Sequence, residues 1–514
     1  MRLNLSGLKA ALAAGVSVAA WAGVAQAQSA AELREEVRQL RAEIKELRDQ
    51  VQAVKTQGSA QFTETLRRQD EQPKVKLDNG RPSFESADGS FTAQIRGRVQ
   101  FDVAAYDQDS DGLPATDFRR GSIGDAVEAA KARDLSSGAN FRRAQLGVEG
   151  TFFKDFGYAL SYQFGGSGTE EGGRIQDVYI EYKGVKGWKF RAGAFSPPAN
   201  LDDAVGSADT LFLERASSSE IQRSLAGSEG RAGIGALGSG ERWTASLVLT
   251  GGTIGTTAFD EQLALVGRVT GLAYSDPQFQ LHLGANATYI FQTPDLGIDT
   301  AARSPVRLRD RPENRVDGTR LVDTGNIDAV SVFAPGFEIA ARYKALLLQG
   351  EYFWYQIERR RPASGVALPD PDFSGFYVQA SYTLTGEPRK YNTQNGAFAA
   401  PKPAKFIGGK DDAAGGGAWE IAARYSVLDL NYNEGNRGAA TPVGGIRGGR
   451  QEIWTAGINW YLNAATRLTA DYQYVDVDRL SPGGNNFGTV STPPAGAQIG
   501  QSLNIFSLRA QFSF

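Results

Sequence analysis

"SLRAQFSF", residues 507–514, alternates without a break. Phe506, Leu508, Ala510 and Phe512 are apolar, while Ser507, Arg509, Gln511 and Ser513 between them are polar. A spacing of two places the apolar set on one face of a strand and the polar set on the other. Terminal residues of a domain usually fray unless they are tied down. Here they carry a clean strand pattern, in a chain whose mean hydropathy is only -0.34. One face suits hydrocarbon and the other suits water.

The same alternation recurs upstream. In "FTAQIRGRVQFDVAAY" Phe91, Ala93, Ile95, Val99, Phe101, Val103 and Ala105 share a face, opposite Thr92, Gln94, Arg96, Arg98, Gln100 and Asp102. "AQLGVEGTF", "YALSYQF", "DVYIEY", "WKFRAGAF", "WTASLVLT", "FQLHLGANATYI", "FYVQASYTLT", "WEIAARYS" and "EIWTAGINWYL" repeat it. With weaker segments near Arg231 and Leu347 the total is about sixteen, an even number in the range of membrane barrels. Short turns ("FKD", "GVKG", "GSGE", "SDPQ", "NAA") follow even-numbered strands. Long connections, notably Asp107 to Asn140 and Thr293 to Pro335, follow odd ones. The segment from Gly386 to Gly417 is the exception, long but on the short-turn side. Trp188, Trp243, Trp419 and Trp460 sit at short-turn ends, and Trp354 and Trp454 at opposite ends, all on the apolar face. Indole at strand ends fits two lipid–water boundaries. An all-β transmembrane barrel of about 16 antiparallel strands is therefore expected over 90–514. An open edge in hydrocarbon would strand backbone groups, so the last strand must meet the first.

Ahead of the barrel, residues 1–27 read as a signal peptide: Arg2 and Lys9, the apolar run "AALAAGVSVAAWAGVA", then Ala25-Gln26-Ala27. That run is short for a spanning helix. In residues 28–57 Leu33, Val37, Leu40, Ile44, Leu47, Val51 and Val54 are spaced four and three, a heptad seam. Glu36 and Glu43 precede Arg41 and Arg48 by five residues, the opposite-charge pattern of a parallel coiled coil. The bland alternative is one amphipathic helix lying on the barrel. Residues 58–89 read as a linker.

Composition removes several functions. Lys+Arg 55 against Asp+Glu 58 leaves a net charge of -3, which gives no basic excess for nucleic acid. No cysteine and a single histidine leave no disulfide and no zinc site, and no cofactor is expected. His282 lies on a polar strand face and reads as a solvated lumen residue, so an enzymatic barrel lacks its usual constellation. The pairs Asp202-Asp203 and Asp411-Asp412 lack the spacing of a calcium loop.

"FRRAQLGVEGTFFKDFGYALSYQF", "RAGAFSPPANLDDAVGSADTLFLERA", "YVQASYTLTGEPRKYNTQNGAF", "GAWEIAARYSVLDLN" and "GINWYLNAATRL" resemble the phosphate-selective porin O/P family, from about residue 90 to Phe514. The resemblance implies a homotrimeric outer-membrane channel for small anions, phosphate or polyphosphate, embedded in outer-membrane lipids. It implies an inward third loop over Ser196 to Arg215 and an inward periplasmic stretch over Gly386 to Gly417. It also implies an eyelet lined by Arg142 and Arg143, with Arg98 and Arg268 on the lumen wall. The chain departs from the family pattern in that loop: lysines of phosphate-selective members align without gaps on Asp203 and Ala208, and Asp202 and Asp203 make the stretch acidic. Lumen-facing positions are nearly balanced. Arg96, Arg98, Arg143, Lys189, Arg191, Arg268, Arg342, Arg424, Arg467 and Arg509 stand against Asp102, Glu149, Asp177, Glu181, Glu338, Glu351, Glu420 and Asp471. Rival readings are a general or weakly cation-selective pore, and a structural tether contacting the cell wall through the coiled coil.

Overall fold

A computed structural model describes residues 30–70, 72–78, 81–108, 135–166, 173–226, 228–254, 261–295, 305–361, 366–408, 415–483 and 494–514. The leader read in residues 1–27 and the pair Asp411-Asp412 lie outside them. The chain divides into one unit, Met1–Gln72, described as a helix over Ala30–Asp70, and a second unit, Pro73–Phe514.

The second unit is a closed barrel of sixteen antiparallel strands. Its first half comprises β1 (Thr92–Gln108), β2 (Gly138–Phe152), β3 (Phe156–Gln163), β4 (Arg174–Tyr182), β5 (Trp188–Ala194), β6 (Arg231–Ser239), β7 (Trp243–Thr253) and β8 (Leu263–Ser275). Its second half comprises β9 (Phe279–Gln292), β10 (Ile327–Tyr343), β11 (Leu346–Arg359), β12 (Asp372–Thr383), β13 (Ala418–Tyr432), β14 (Ile446–Tyr461), β15 (Thr466–Asp478) and β16 (Ser502–Ser513). Each strand pairs with the next, and β16 returns to β1 from Leu503↔Gln108 to Ser513↔Arg98. Phe514 completes the seam. Its N–H donates to the Gly97 carbonyl at 3.0 Å, and its own carbonyl accepts from the Gly97 N–H at 2.9 Å. Glycine at 97 leaves room for the Phe514 ring, since a Cβ there would lie 2.4 Å from it and the ring would have to move.

Outward positions are exposed and inward ones buried in clean alternation along β15 and β16, and over much of the other long strands. The tryptophans form the boundaries that their placement predicts. Trp188 and Trp243 lie 5.9 Å apart, and Trp419 and Trp460 stack at 4.8 Å, all at short-turn ends. Trp454 covers Tyr425 at 4.3 Å higher on the wall. The segments near Arg231 and Leu347 are the genuine strands β6 and β11. The long loop expected from Thr293 to Pro335 is shorter, since β10 begins at Ile327 and contains Pro335. Pairing of β10 with β11 passes from Phe333↔Gln356 to Gly336↔Phe353 and skips Ala334 and Pro335, as a residue without an N–H requires.

The barrel is filled rather than hollow. Two helices of the β5–β6 connection, α2 (Leu201–Ala204) and α3 (Ser217–Ala226), enter it, and Ile221 and Leu225 join a buried apolar cluster with Phe353, Tyr355 and Leu428. Gly375 of β12 permits this approach, because a Cβ would lie 2.7 Å from Ser218 Cβ. The β12–β13 connection also turns inward, and Phe398 packs with Leu201, Ala340 and Leu347. A two-stranded hairpin, Lys74–Asp78 with Arg81–Glu85, extends the sheet beside the start of β1.

In the first unit the helix runs over Ala30–Asp70, 41 residues, past the boundary read at 57. The extension "GSAQFTETLRRQD" lacks an apolar stripe but is rich in helix formers. Leu33, Val37, Leu40, Ile44, Leu47, Val51 and Val54 remain exposed in the single chain.

Candidate functional site

The site is built by the β5–β6 connection crossing the lumen. Asn200 caps α2 by accepting from Asp203 N–H at 2.8 Å and ties it to α3 by donating to the Ser219 carbonyl at 3.0 Å. Glu351 of β11 accepts the next two free amides, from Leu201 at 2.8 Å and Asp202 at 3.0 Å. Between the helices, wall side chains hold the backbone. Gln100 donates to the Ser207 carbonyl (2.9 Å), Gln511 and Arg467 to Ala208 (3.1 and 3.2 Å), and Arg389 to Asp209 (2.9 Å). Asn459 donates to Leu211 (2.8 Å), Arg509 to Leu213 (2.6 Å) and Arg424 to Glu214 (3.1 Å). Buried carbonyls need donors, and they are supplied here by neutral amides, by Arg389 of the β12–β13 connection and by three of the lumen arginines, Arg424, Arg467 and Arg509.

Those charges are also matched among themselves. Arg268 grips Glu338 with contacts of 2.9 Å, Arg389 grips Glu420 at 2.6 and 2.8 Å, and Arg509 grips Asp102 at 2.6 Å through both nitrogens. Arg424 pairs with Glu313. Arg268 also donates to the carbonyls of Asn395 (2.7 Å) and Gly396 (2.8 Å), which fastens the inward β12–β13 hairpin to the wall. His282 is part of that fastening. It is fully buried, hydrogen bonds Tyr391 at 2.8 Å and faces Glu338 at 3.7 Å, so it is not the solvated residue its strand position suggests. The hairpin covers it.

On β2, β3 and β4 the interior stays open. A cavity of about 170 Å³ lies between Arg142, Arg143, Gln145, Gln163, Arg174 and Gln176 on the wall and Glu220, Arg223 and Ser224 on α3. Arg311, Arg315 and Arg320 of the β9–β10 connection reach the same space. Seven arginines thus line it against two carboxylates, Glu220 and Glu229. Gln145 and Gln176, joined by a 3.2 Å hydrogen bond, also line a second cavity of about 600 Å³. Arg81, Arg96, Arg98, Lys402 and Arg467 line that one, with Glu149, Asp177 and Asp209, down to Phe514 and the turn at Asn463. The two cavities adjoin at Gln145 and Gln176; the upper lining is strongly basic, and the lower one sets five cationic side chains against three carboxylates.

Burial raises the carboxyls of Asp202 and Asp209 in this loop, whereas Glu214 and Glu229 stay ionised. Burial opposes the charge on Glu214, but Arg142 and Arg315 outweigh it and hold the carboxyl well below its usual range. Burial likewise opposes Glu229 and is overcome by Arg223 and Arg174. Arg223 contacts Glu229, Glu220 at 3.2 Å and Asp203 at 2.7 Å; burial works against its charge, yet these partners raise it well above the ordinary guanidinium value.

The residues expected from sequence separate accordingly. Arg142 lines the upper cavity but is paired with Glu214 at 2.6 Å. Arg143 lines it too, 5% exposed, and donates to neutral Gln100 at 2.7 Å; among the described residues it has no carboxylate within ion-pair distance. Arg98 lines the lower cavity and donates to Ser207 Oγ. Arg268 lines neither of the two. Asp202 is buried and accepts the Ala216 N–H at 3.1 Å, and Asp203 is paired with Arg223 and, at 3.6 Å, Arg215. Arg174, Arg223, Arg311, Arg315, Arg320 and the glutamines were missed. The dense run "RDRPENRVDGTR" (309–320) was the available signal for three of them.

A family model for phosphate-selective porin O and P matches residues 115–514. Porin O of Pseudomonas aeruginosa is 25% identical over 421 residues, covering 78% of this chain and 86% of its own. An uncharacterized protein of Caulobacter vibrioides is 28% identical over 436 residues, covering 82% and 75%. Among solved structures, the anion-selective porin from Comamonas acidovorans superimposes with a TM-score of 0.45 at 13% identity, covering 82% of this chain and all of that one.

Proposed function

The chain belongs to the phosphate-selective porin O and P family, an outer-membrane porin, and from that premise we propose that its channel favours small anions, phosphate or polyphosphate among them. One observation carries this reading: seven arginines against two glutamates around the upper cavity, with Arg143 facing a neutral partner. Fixed guanidinium groups replace part of an anion's hydration shell. Weak sites in series, here the upper arginines and then Arg96 and Arg98 below, let the ion leave as well as enter. Asp203 does not oppose them, because Arg223 and Arg215 neutralise it. The test is the zero-current potential of the purified protein across a potassium chloride gradient. A potential of anion sign supports the reading, and a potential near zero or of cation sign supports a general or cation-selective pore.

We further propose three copies per assembly, with the exposed heptad stripe of α1 (Ala30–Asp70) as a self-association seam. β-branched residues at one seam position with leucine at the other favour two strands in isolated helices, whereas the barrel walls offer far more contact and set their own symmetry. Mass measurement of the full chain in mild detergent decides between two and three.

A further inference from the structure

Gln163, the last residue of β3, is 2% exposed and lines the upper cavity. Its amide orientation is set by its neighbours. Nε2 donates to the Gly165 carbonyl and, at 3.4 Å, to the Arg142 carbonyl. Reversing the amide would press a carbonyl oxygen against two others, so Oε1 is the atom left over. That Oε1 is buried and has no hydrogen-bond partner among the described residues. A buried acceptor without a donor costs free energy unless something in the cavity supplies one.

The same cavity offers donors whose charge or N–H is unmatched. Among the described residues Arg143 donates to neutral Gln100 and has no carboxylate within ion-pair distance, and the buried Nε–H of Arg174 has no partner. About 170 Å³ holds roughly five waters at ~30 Å³ each, so a small oxyanion has room there. Donors beside one isolated acceptor describe a particular guest: an oxyanion with several acceptor oxygens that still carries one hydroxyl. We infer that Gln163 Oε1 accepts the remaining O–H of such an ion, and so favours hydrogen phosphate or a phosphate monoanion over a fully deprotonated oxyanion of the same size and charge. This deepens the anion-channel reading and rests on it. Arginines alone reward charge and shape; the glutamine carbonyl rewards the proton. A hydroxyl-free guest would place an oxygen lone pair against Oε1 and repel it.

Single-channel recording of the full-length protein in chloride, near neutral pH, tests this with three added anions: phosphate, sulfate and monofluorophosphate. The last keeps the shape and charge of hydrogen phosphate but replaces the hydroxyl by fluorine. Phosphate should halve the chloride current at a concentration about fivefold lower than the other two, the effect of one neutral hydrogen bond. In Gln163→Leu the three concentrations should converge to within about twofold. Equal block by all three anions in the unaltered protein overturns the inference whether or not the variant folds, and leaves the anion preference standing. A preference for phosphate that survives in Gln163→Leu, or in Gln163→Met should leucine prevent folding, also overturns it. A zero-current potential without anion sign in the unaltered protein defeats the anion-preference reading instead, and this inference with it.

Discussion

Arg268 on β8 and Arg143 on β2 are the same residue type, both facing into the barrel and both nearly inaccessible. Arg268 meets Glu338 with both ends of its guanidinium and spends its remaining donors on the carbonyls of the inward hairpin. Among the described residues Arg143 meets only the side-chain carbonyl of Gln100, and it looks into a cavity shared with other arginines. The first arginine is scaffold, and the second lines the cavity proposed to pass anions. What separates them is the covering segment. On the side where α2, α3 and the β12–β13 hairpin lie against the wall, charges are matched in pairs or hold loop carbonyls. On the side of β2–β4 they line open cavities, and there Arg143 faces neutral Gln100 while Arg142, Arg174 and Arg96 keep a carboxylate partner. A tally of lumen charges therefore misstates the field an ion meets, since a paired charge adds little to it.

Breaking the packed side gives the largest effect. Glu338→Ala leaves Arg268 buried and unpaired, a change of the kind that costs about 3–5 kcal/mol. The folded barrel should convert to the heat-denatured form at a clearly lower temperature on detergent gels. Near-normal stability with altered ion preference would erase the distinction drawn between the two walls. The next effect belongs to the open side. A guanidinium about 5 Å from a passing ion is worth roughly 3 kcal/mol at an effective dielectric constant near 20, less where water intrudes. Arg143→Ala should thus lower the anion-to-cation permeability ratio on the order of tenfold at low salt, with little change in thermal stability. The shift should shrink toward 1 M salt, where screening falls to about 3 Å. A barrel strongly destabilised by Arg143→Ala, with its selectivity intact, would move that residue into the scaffold.

The barrel itself was legible because its cause is periodic. Lipid on one side and polar filling on the other impose alternation on each strand, and indole marks the ends. Pro335 hid the first half of β10, since a residue without an N–H reads as loop. α3 was hidden for another reason: "SSSEIQRSLA" buries only Ile221 and Leu225 as large apolar residues and looks like a polar connection. The division of the lumen could not be read at all. Arg268, Arg143 and His282 carry identical signatures, an inward position in an alternating strand, and differ only in which distant segment folds over them. Arg142 and Arg143 were reached through resemblance; their different partners, Glu214 and Gln100, come from two separate parts of the chain.

A subtler test probes the boundary between the two sides. Asp203 is held by Arg223 and Arg215, and Arg223 keeps Glu220 and Glu229 as further partners. Asp203→Asn should free part of that positive charge beside the cavity and raise the anion-to-cation ratio by about twofold, because the remaining carboxylates still compensate. A fall in the ratio would mean that the aspartate acts on the ion through Arg223's position rather than through its charge.

The smallest effect should come from pH, through Asp310 in the β9–β10 connection. It is buried and does not line the cavity, yet it faces Arg315, Arg311 and Glu220, which do. Burial is the main cause that pushes its carboxyl up to about 7, against the pull of Arg315. The folded state therefore keeps a proton that the unfolded chain releases near 3.8, so this group's contribution to stability falls as pH rises from that value toward 7. Above 7 the carboxylate is ionised and offsets one of the neighbouring arginines. Raising the pH from about 6 to about 8 should then reduce the anion-to-cation permeability ratio slightly, less than Asp203→Asn raises it, because Asp310 sits behind its arginines. Chloride is the ion to use, since phosphate titrates in the same interval. Asp310→Asn should flatten the pH dependence while holding the ratio at its acidic value. A dependence that persists in that variant would assign the titration to another group. A ratio that rises with pH would mean that the charged aspartate draws Arg311 and Arg315 into better position, rather than cancelling them.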